Sequence, residues 1–230
     1  MLTFFLLQVN QAATDAMGVE AEGITLDFWD LAMKGGWIMV PIVLLSLIAI
    51  FIFGDRYVAI QRASKIDANL MSQIRQNIQE GKIDSALALC RSTNKPITRM
   101  IEKGITRIGR PLNDVSAAIE NVGNLEVSKL EKGLPLLASV AGGAPMIGFL
   151  GTVMGMIQAF YDMANAGNNI DVTLLSSGIY QAMVTTVAGL IVGIVAYFAY
   201  NILVAKVENV VFKMEGSTTE FMDLLNEPAA

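Results

Sequence analysis

Residues 142–160 read GGAPMIGFLGTVMGMIQAF, and residues 178–201 read GIYQAMVTTVAGLIVGIVAYFAYN. Neither contains Asp, Glu, Lys, Arg or His. They lie within charge-free stretches of 29 residues (133–161) and 34 residues (172–205), and a third stretch, 35–54, runs for 20. A bilayer hydrocarbon core of about 30 Å is crossed by about 20 helical residues rising 1.5 Å each. All three stretches are long enough. The spans are placed at 37–54, 138–160 and 179–204. The second and third exceed one bilayer, which predicts helices that project into water or tilt.

Composition leads to the same class. The chain has 230 residues, 53% hydrophobic and 16% charged, where soluble domains carry roughly 25% charged residues. A chain this short has too little polar sequence to wrap three such helices as a soluble core. The fold class is therefore an all-α integral membrane protein with three transmembrane helices. Helices 2 and 3 extend into the cytoplasm, and a helical cytoplasmic insert joins spans 1 and 2.

Several function classes are excluded. There is no histidine, which removes the commonest general base and metal ligand. Cys90 is the single cysteine, so no intrachain disulfide or cysteine-rich metal site exists. The net charge of −5 argues against nucleic acid. No P-loop, Gly-rich nucleotide fingerprint or nucleophile elbow occurs. A membrane-embedded protease is disfavoured because the serines lack a positioned base. The chain reads as a non-enzyme, with no cofactor and no metal site.

Lys and Arg set the expected orientation. Lys34 alone precedes span 1, against five acids; 13 basic residues lie between spans 1 and 2; none lies between spans 2 and 3; Lys206 and Lys213 follow span 3. The positive-inside rule then gives a periplasmic N-terminal segment (1–36), a cytoplasmic helical domain (55–137), a periplasmic turn (161–178) and a cytoplasmic C-terminal helix (205–230). Cys90 falls in a reducing compartment. Residues 1–9 are apolar but short and lack a basic leader. They read as an interfacial helix rather than a cleaved signal.

In the cytoplasmic segment, Ile66, Leu70, Ile74 and Ile78 repeat every four residues, one helical stripe, which Gly81 ends. A second short helix is expected at 83–92. Pro96 opens a third, with Ile97, Ile101, Ile105 and Ile108 as its apolar face. Pro111 breaks it, and Asn113 or Asp114 is expected to cap the next. That helix carries Val115, Ile119, Val122, Leu125 and Leu130 and is expected to run into span 2, bent at Gly133 and Pro135. Glu120, Glu126 and Glu131, near Lys129 and Lys132, read as a solvated or interfacial face.

Spans 2 and 3 are rich in small residues. Gly151 and Gly155 form a GxxxG pair, as do Gly189 and Gly193, and small residues let helices approach closely in lipid. Pro145, Gly148, Thr152, Gly155 and Ala159 share one face of span 2. Gly178, Gln181 or Ala182, Thr185 or Thr186, Gly189 and Gly193 share one face of span 3. Two readings stand. In one, the faces pack tightly and the threonine hydroxyls bond back to their own helix. In the other, Thr152, Thr185, Thr186 and Gln181 line a pore or central cavity, since polar groups at membrane depth face a bundle interior. The absence of Asp, Glu, Lys, Arg and His from the spans has a consequence for mechanism. If the protein handles protons, the carrier belongs to a partner.

The run Ala144-Pro145-Met146-Ile147-Gly148-Phe149-Leu150-Gly151-Thr152-Val153-Met154-Gly155-Met156, supported by Thr185-Thr186-Val187-Ala188-Gly189 and Tyr200-Asn201, resembles the ExbB/TolQ branch of the MotA/TolQ/ExbB proton channel family. The likeness covers nearly the whole chain after the first 25 or so residues. Three spans resemble ExbB/TolQ more than the four-span flagellar stators.

The resemblance implies a bacterial inner-membrane homopentamer around two ExbD/TolR-like single-span helices, whose membrane Asp carries the coupling proton. It also implies work delivered through a TonB-like protein or the partner's periplasmic domain. Thr152 and Thr186 match the family's pore-facing threonines. The family's span-3 glutamate falls at Gln181, which bonds to water but does not titrate. The alternative is a passive channel or helical scaffold without energy transduction.

Overall fold

The computed structural model describes residues 35–65, 69–165 and 172–226. The expected interfacial helix at 1–9, the position of Ile66 and that of Asp171 lie outside the described residues. Those described form a chain of helices: α1 (Met39–Ser64), α2 (Leu70–Gln79), α3 (Ile83–Thr93), α4 (Pro96–Ile105), α5 (Leu112–Glu131), α6 (Leu134–Asn165) and α7 (Val172–Asn226). Among the described residues, three helical stretches are long and apolar enough to cross a membrane: α1, the run from α5 through α6, and α7.

α7 has 55 residues, which at 1.5 Å each is about 80 Å, against a hydrocarbon core of about 30 Å. Its charge-free part can occupy the bilayer while its C-terminal part extends well beyond. There Leu203, Val207, Val210, Met214 and Phe221 are buried. Their spacing of three, four and seven marks one face of a helix. Against that face pack Ile60 of α1, Ile74 of α2, Cys90 of α3, Ile101 of α4 and Ile119 of α5, a single apolar core. The short helices are thus a collar around the distal half of α7. The fit leaves no slack: a methyl group at Gly104 would come within 2.6 Å of Phe221 and 2.7 Å of Ile119.

Several expectations are corrected by local chemistry. α4 stops at Ile105, so Ile108 lies past its apolar stripe and is exposed. The N-cap of α5 is Pro111, with no side-chain cap. Asn113 and Asp114 are the second and third residues of the helix, where Asp114 still faces the positive end of the dipole. Leu125 is exposed, because its spacing from Val122 carries it off the buried stripe. α5 and α6 are separate, since Gly133 adopts φ 89°, a conformation glycine enters without steric cost. Pro135 sits in the first turn of α6, where its missing N–H costs nothing.

Glu126 is not on a solvated face. It is 5% exposed and accepts two hydrogen bonds from Arg99 (2.9 and 3.1 Å) and one from Lys129 (2.6 Å). Burial of a lone carboxylate is prohibitive, so two cations hold it. Arg99 is 27 residues away on α4, a pairing that no local periodicity reveals. Burial pushes the Cys90 thiol up to about 11, with the Glu102 carboxylate adding to the shift. Among the described residues, every buried side-chain nitrogen and oxygen has a partner.

Candidate functional site: the seam between α6 and α7

α6 and α7 run antiparallel and meet along one continuous seam. Ala144, Gly148, Gly151, Gly155 and Ala159 are the buried positions of α6 along it, spaced three or four apart. On α7, Ala182 and Thr185 are buried, and Gly178, Gly189 and Gly193 complete the face. Each glycine is required by what lies opposite. A methyl group at Gly189 would approach the Ala144 carbonyl oxygen at 2.6 Å and the Gly148 Cα at 2.9 Å. At Gly148 it would approach the Thr185 carbonyl at 2.9 Å, and at Gly155 the Gly178 carbonyl at 2.9 Å. At Gly151 it would meet Thr185 Cβ at 2.6 Å. The obstacles are mostly backbone atoms, which cannot turn aside. Glycine Cα–H groups therefore face carbonyl oxygens across the seam, a contact that recurs where membrane helices pack closely.

Pro145 adds a chemical reason. It has no N–H, so the carbonyl of Ala141, four residues earlier, loses its helical donor. Gly193 covers that oxygen: a methyl group there would lie 3.0 Å from Ala141 O and 2.6 Å from Pro145 Cδ. In a bilayer no water relieves an orphan carbonyl, so the proline on α6 and the glycine on α7 form a matched pair.

The polar residues divide into two groups. Thr185 is buried inside the seam and donates to Ala182 O on its own helix (2.8 Å). Thr152 is turned aside, with Gly151 taking the seam position that its spacing equally allowed. Its hydroxyl donates to Phe149 O (2.6 Å). Thr186 bridges the helices, donating to Gly148 O (3.0 Å). Gln181 is half-buried beside Ala182, and its amide lies against the backbone of Gly36, at φ 68° just before α1. The seam thus unites the six predicted packing residues and Thr185. Thr152, Thr186 and Gln181 stand along its edges. Sequence reading missed the role of Gly36, because nothing near it in sequence signals a glutamine 145 positions away.

Outward from the seam the spans are apolar. Met146, Phe149 and Phe160 on α6, and Met183, Val187, Ile194 and Phe198 on α7, are largely exposed in the single chain. These faces suit lipid or other helices.

Comparison with known proteins places this geometry in context. A family model described as the MotA/TolQ/ExbB proton channel family matches residues 92–216, from the end of α3 through most of α7. The chain is 27% identical to an ExbB-homologous biopolymer transport protein of Methanothermobacter thermautotrophicus, over 64% of this chain and 51% of the relative. It is 34% identical to the Tol-Pal system protein TolQ of Haemophilus influenzae, over 46% of each. It is 25% identical to the biopolymer transport protein ExbB of Neisseria meningitidis, over 72% of this chain and 80% of the relative. The chain spans about half the length of the first two relatives.

Proposed function

The chain belongs to the MotA/TolQ/ExbB proton channel family, a multi-pass membrane protein of the ExbB/TolQ type, and from that premise we propose that it is the uncharged sleeve of a proton-driven inner-membrane motor. In this reading several copies, five by family likeness, surround ExbD/TolR-like single-span helices. A membrane Asp on the partner takes up and releases the proton. Proton-motive force turns ring and core relative to each other. The work reaches the envelope through a TonB-like protein or the partner's own periplasmic domain. The sleeve forms and breaks no covalent bonds and needs no cofactor beyond the coupling proton.

One observation carries this reading. The spans hold polar groups that hydrogen-bond without titrating: Thr152 and Thr186 beside the seam, and Gln181 near its end. A path lined this way offers water and a passing carboxyl somewhere to bond. It also fixes no charge that would trap the proton or repel the carboxylate. The glycine seam adds a wall stiff enough to hold its shape while a partner moves past.

Orientation follows from the charges. Thirteen basic residues join spans 1 and 2, which supports a cytoplasmic position for the α2–α5 collar and the distal half of α7.

The competing reading is a passive channel or scaffold. It is favoured by the hydroxyls of Thr152 and Thr185, both bonded back to their own helix. Affinity purification in mild detergent separates the two, with mass spectrometry of co-purifying proteins and native mass of the assembly. A single-span protein with a membrane Asp, held at fixed stoichiometry inside a ring, supports the motor. A ring that purifies without one contradicts it.

A further inference from the structure

Two concavities lie end to end along the groove between α1 and α7. The first is a cavity of about 570 Å³ whose walls are almost wholly apolar, including Ala49, Ile50 and Phe53 of α1 and Val195, Phe198 and Ile202 of α7. The second, about 460 Å³, is the more polar: Gln61 and Ser64 of α1, Lys65 just past its end, and Lys206 and Asn209 of α7 line it together with Ile60 and Ala205. Aromatic rings join them. Phe53 stacks obliquely on Tyr57 at 5.7 Å, and Lys206 Nζ stands 4.7 Å from the centre of the Tyr57 ring.

Three features identify the occupant. The apolar cavity follows α7 from Ile191 to Ile202, about 16 Å at 1.5 Å per residue. That is half of a hydrocarbon core of about 30 Å, one leaflet. The polar cavity begins where the charge-free stretch ends, at the depth of head groups, where tyrosine also concentrates. Its lining carries two lysines and no carboxylate. Among the described residues neither lysine forms an ion pair with a carboxylate, and Lys206 meets the Tyr57 ring instead.

We propose that the α1–α7 groove is a binding site for one anionic phospholipid, with an acyl chain in the apolar cavity and the phosphate between Lys65 and Lys206. Basic pockets at the cytoplasmic ends of membrane helices have the chemistry for anionic head groups. The lipid would seal α1 against α7 along the groove, and would couple the membrane wall to the collar. The site needs three spans and these side chains, and is independent of proton coupling.

The test is native mass spectrometry of the purified full-length assembly in zwitterionic detergent, titrated with phosphatidylglycerol or phosphatidylcholine. Wild type should retain phosphatidylglycerol in preference to phosphatidylcholine. Two lysines near a membrane surface are worth roughly tenfold to thirtyfold in affinity together, so the surface variant Lys65→Gln/Lys206→Gln should bind phosphatidylglycerol that much more weakly with its oligomeric mass unchanged. Ala199→Trp, which fills the apolar cavity, should reduce both lipids. Equal binding of phosphatidylglycerol by wild type and the lysine variant overturns the proposal. So does a photo-crosslinker at Phe198 that captures another copy of the chain in place of lipid.

Discussion

Thr186 on α7 donates its hydroxyl proton to the carbonyl oxygen of Gly148 on α6, at 3.0 Å. This is a polar bond between two spans, made at the point where a methyl group on Gly148 would stand 3.2 Å from the Thr186 Cα. The glycine permits the approach and the threonine exploits it. Thr186→Val keeps the shape and removes the bond, and such bonds in membranes average about 0.6 kcal/mol, with about 1.7 at most. Thermal unfolding in detergent should therefore show a small loss for this variant.

The pore reading makes a different demand of the same residue. Thr152→Val/Thr186→Val together should lower proton-driven activity in cells while the assembly still purifies intact. Normal activity in the double variant would show that these hydroxyls only pack or cap.

The seam predicts a contrast among glycines. Gly189→Val drives a branched side chain into the Ala144 carbonyl, and overpacking of this kind costs about 1–3 kcal/mol. Gly142 and Gly143 lie on the same helix as Gly148, yet a methyl group at either meets nothing within 4 Å. Replacing Gly142 with Ala should leave the single chain's fold intact or stabilise it by about 0.5–1 kcal/mol. Chemical or thermal denaturation of both variants in one detergent checks the difference, and equal destabilisation would contradict the seam.

Gln181 is a non-titrating amide within span 3. If it keeps a polar, hydrated passage without fixed charge, Gln181→Leu should abolish or sharply reduce proton-driven function at unchanged expression. Full function in the leucine variant would remove Gln181 from the passage.

How much of this was readable in advance depended on the range of the interaction. The spans were legible because missing charge is a local property of sequence. The small faces of spans 2 and 3 were legible because residues three and four apart share a helix face. The phase at mid-span was ambiguous: Gly151 and Thr152 fit the spacing equally, and only the opposing Thr185 selects Gly151. Arg99 with Glu126, and Gly36 with Gln181, were illegible, since each pairs residues whose separation in the chain carries no period. Ile108 and Leu125 extended real stripes past the points where a helix ends or its phase drifts.

The buried carboxylate makes its own prediction. Arg99→Met leaves Glu126 buried with Lys129 as its remaining cation, and an under-compensated buried charge costs more than a lost bond. The cost should be roughly 1–3 kcal/mol, reduced because the cations are partly exposed. Arg99→Met/Glu126→Leu should recover part of it. A double variant less stable than Arg99→Met alone would contradict the burial argument.

Cys90 supplies a prediction about pH. Its thiol is raised to about 11 from an ordinary 9.0, so the folded chain holds the proton more tightly than the unfolded chain. Stability from this group is constant below about pH 9 and declines as pH rises from there towards 11. At neutral pH the native protein should resist alkylation, which requires the thiolate, and denaturant should release it. Rapid labelling of the native protein would place Cys90 outside the core.

In the proposed motor the titrating residue belongs to another chain. Proton flux into pH-reporting liposomes, driven by a membrane potential, tests it most directly, comparing this chain alone with the complex carrying its single-span partner. The chain alone should pass no protons and the complex should, with flux lost when the partner's membrane Asp becomes Asn. Proton conduction by the chain alone, equal to that of the complex, would contradict it.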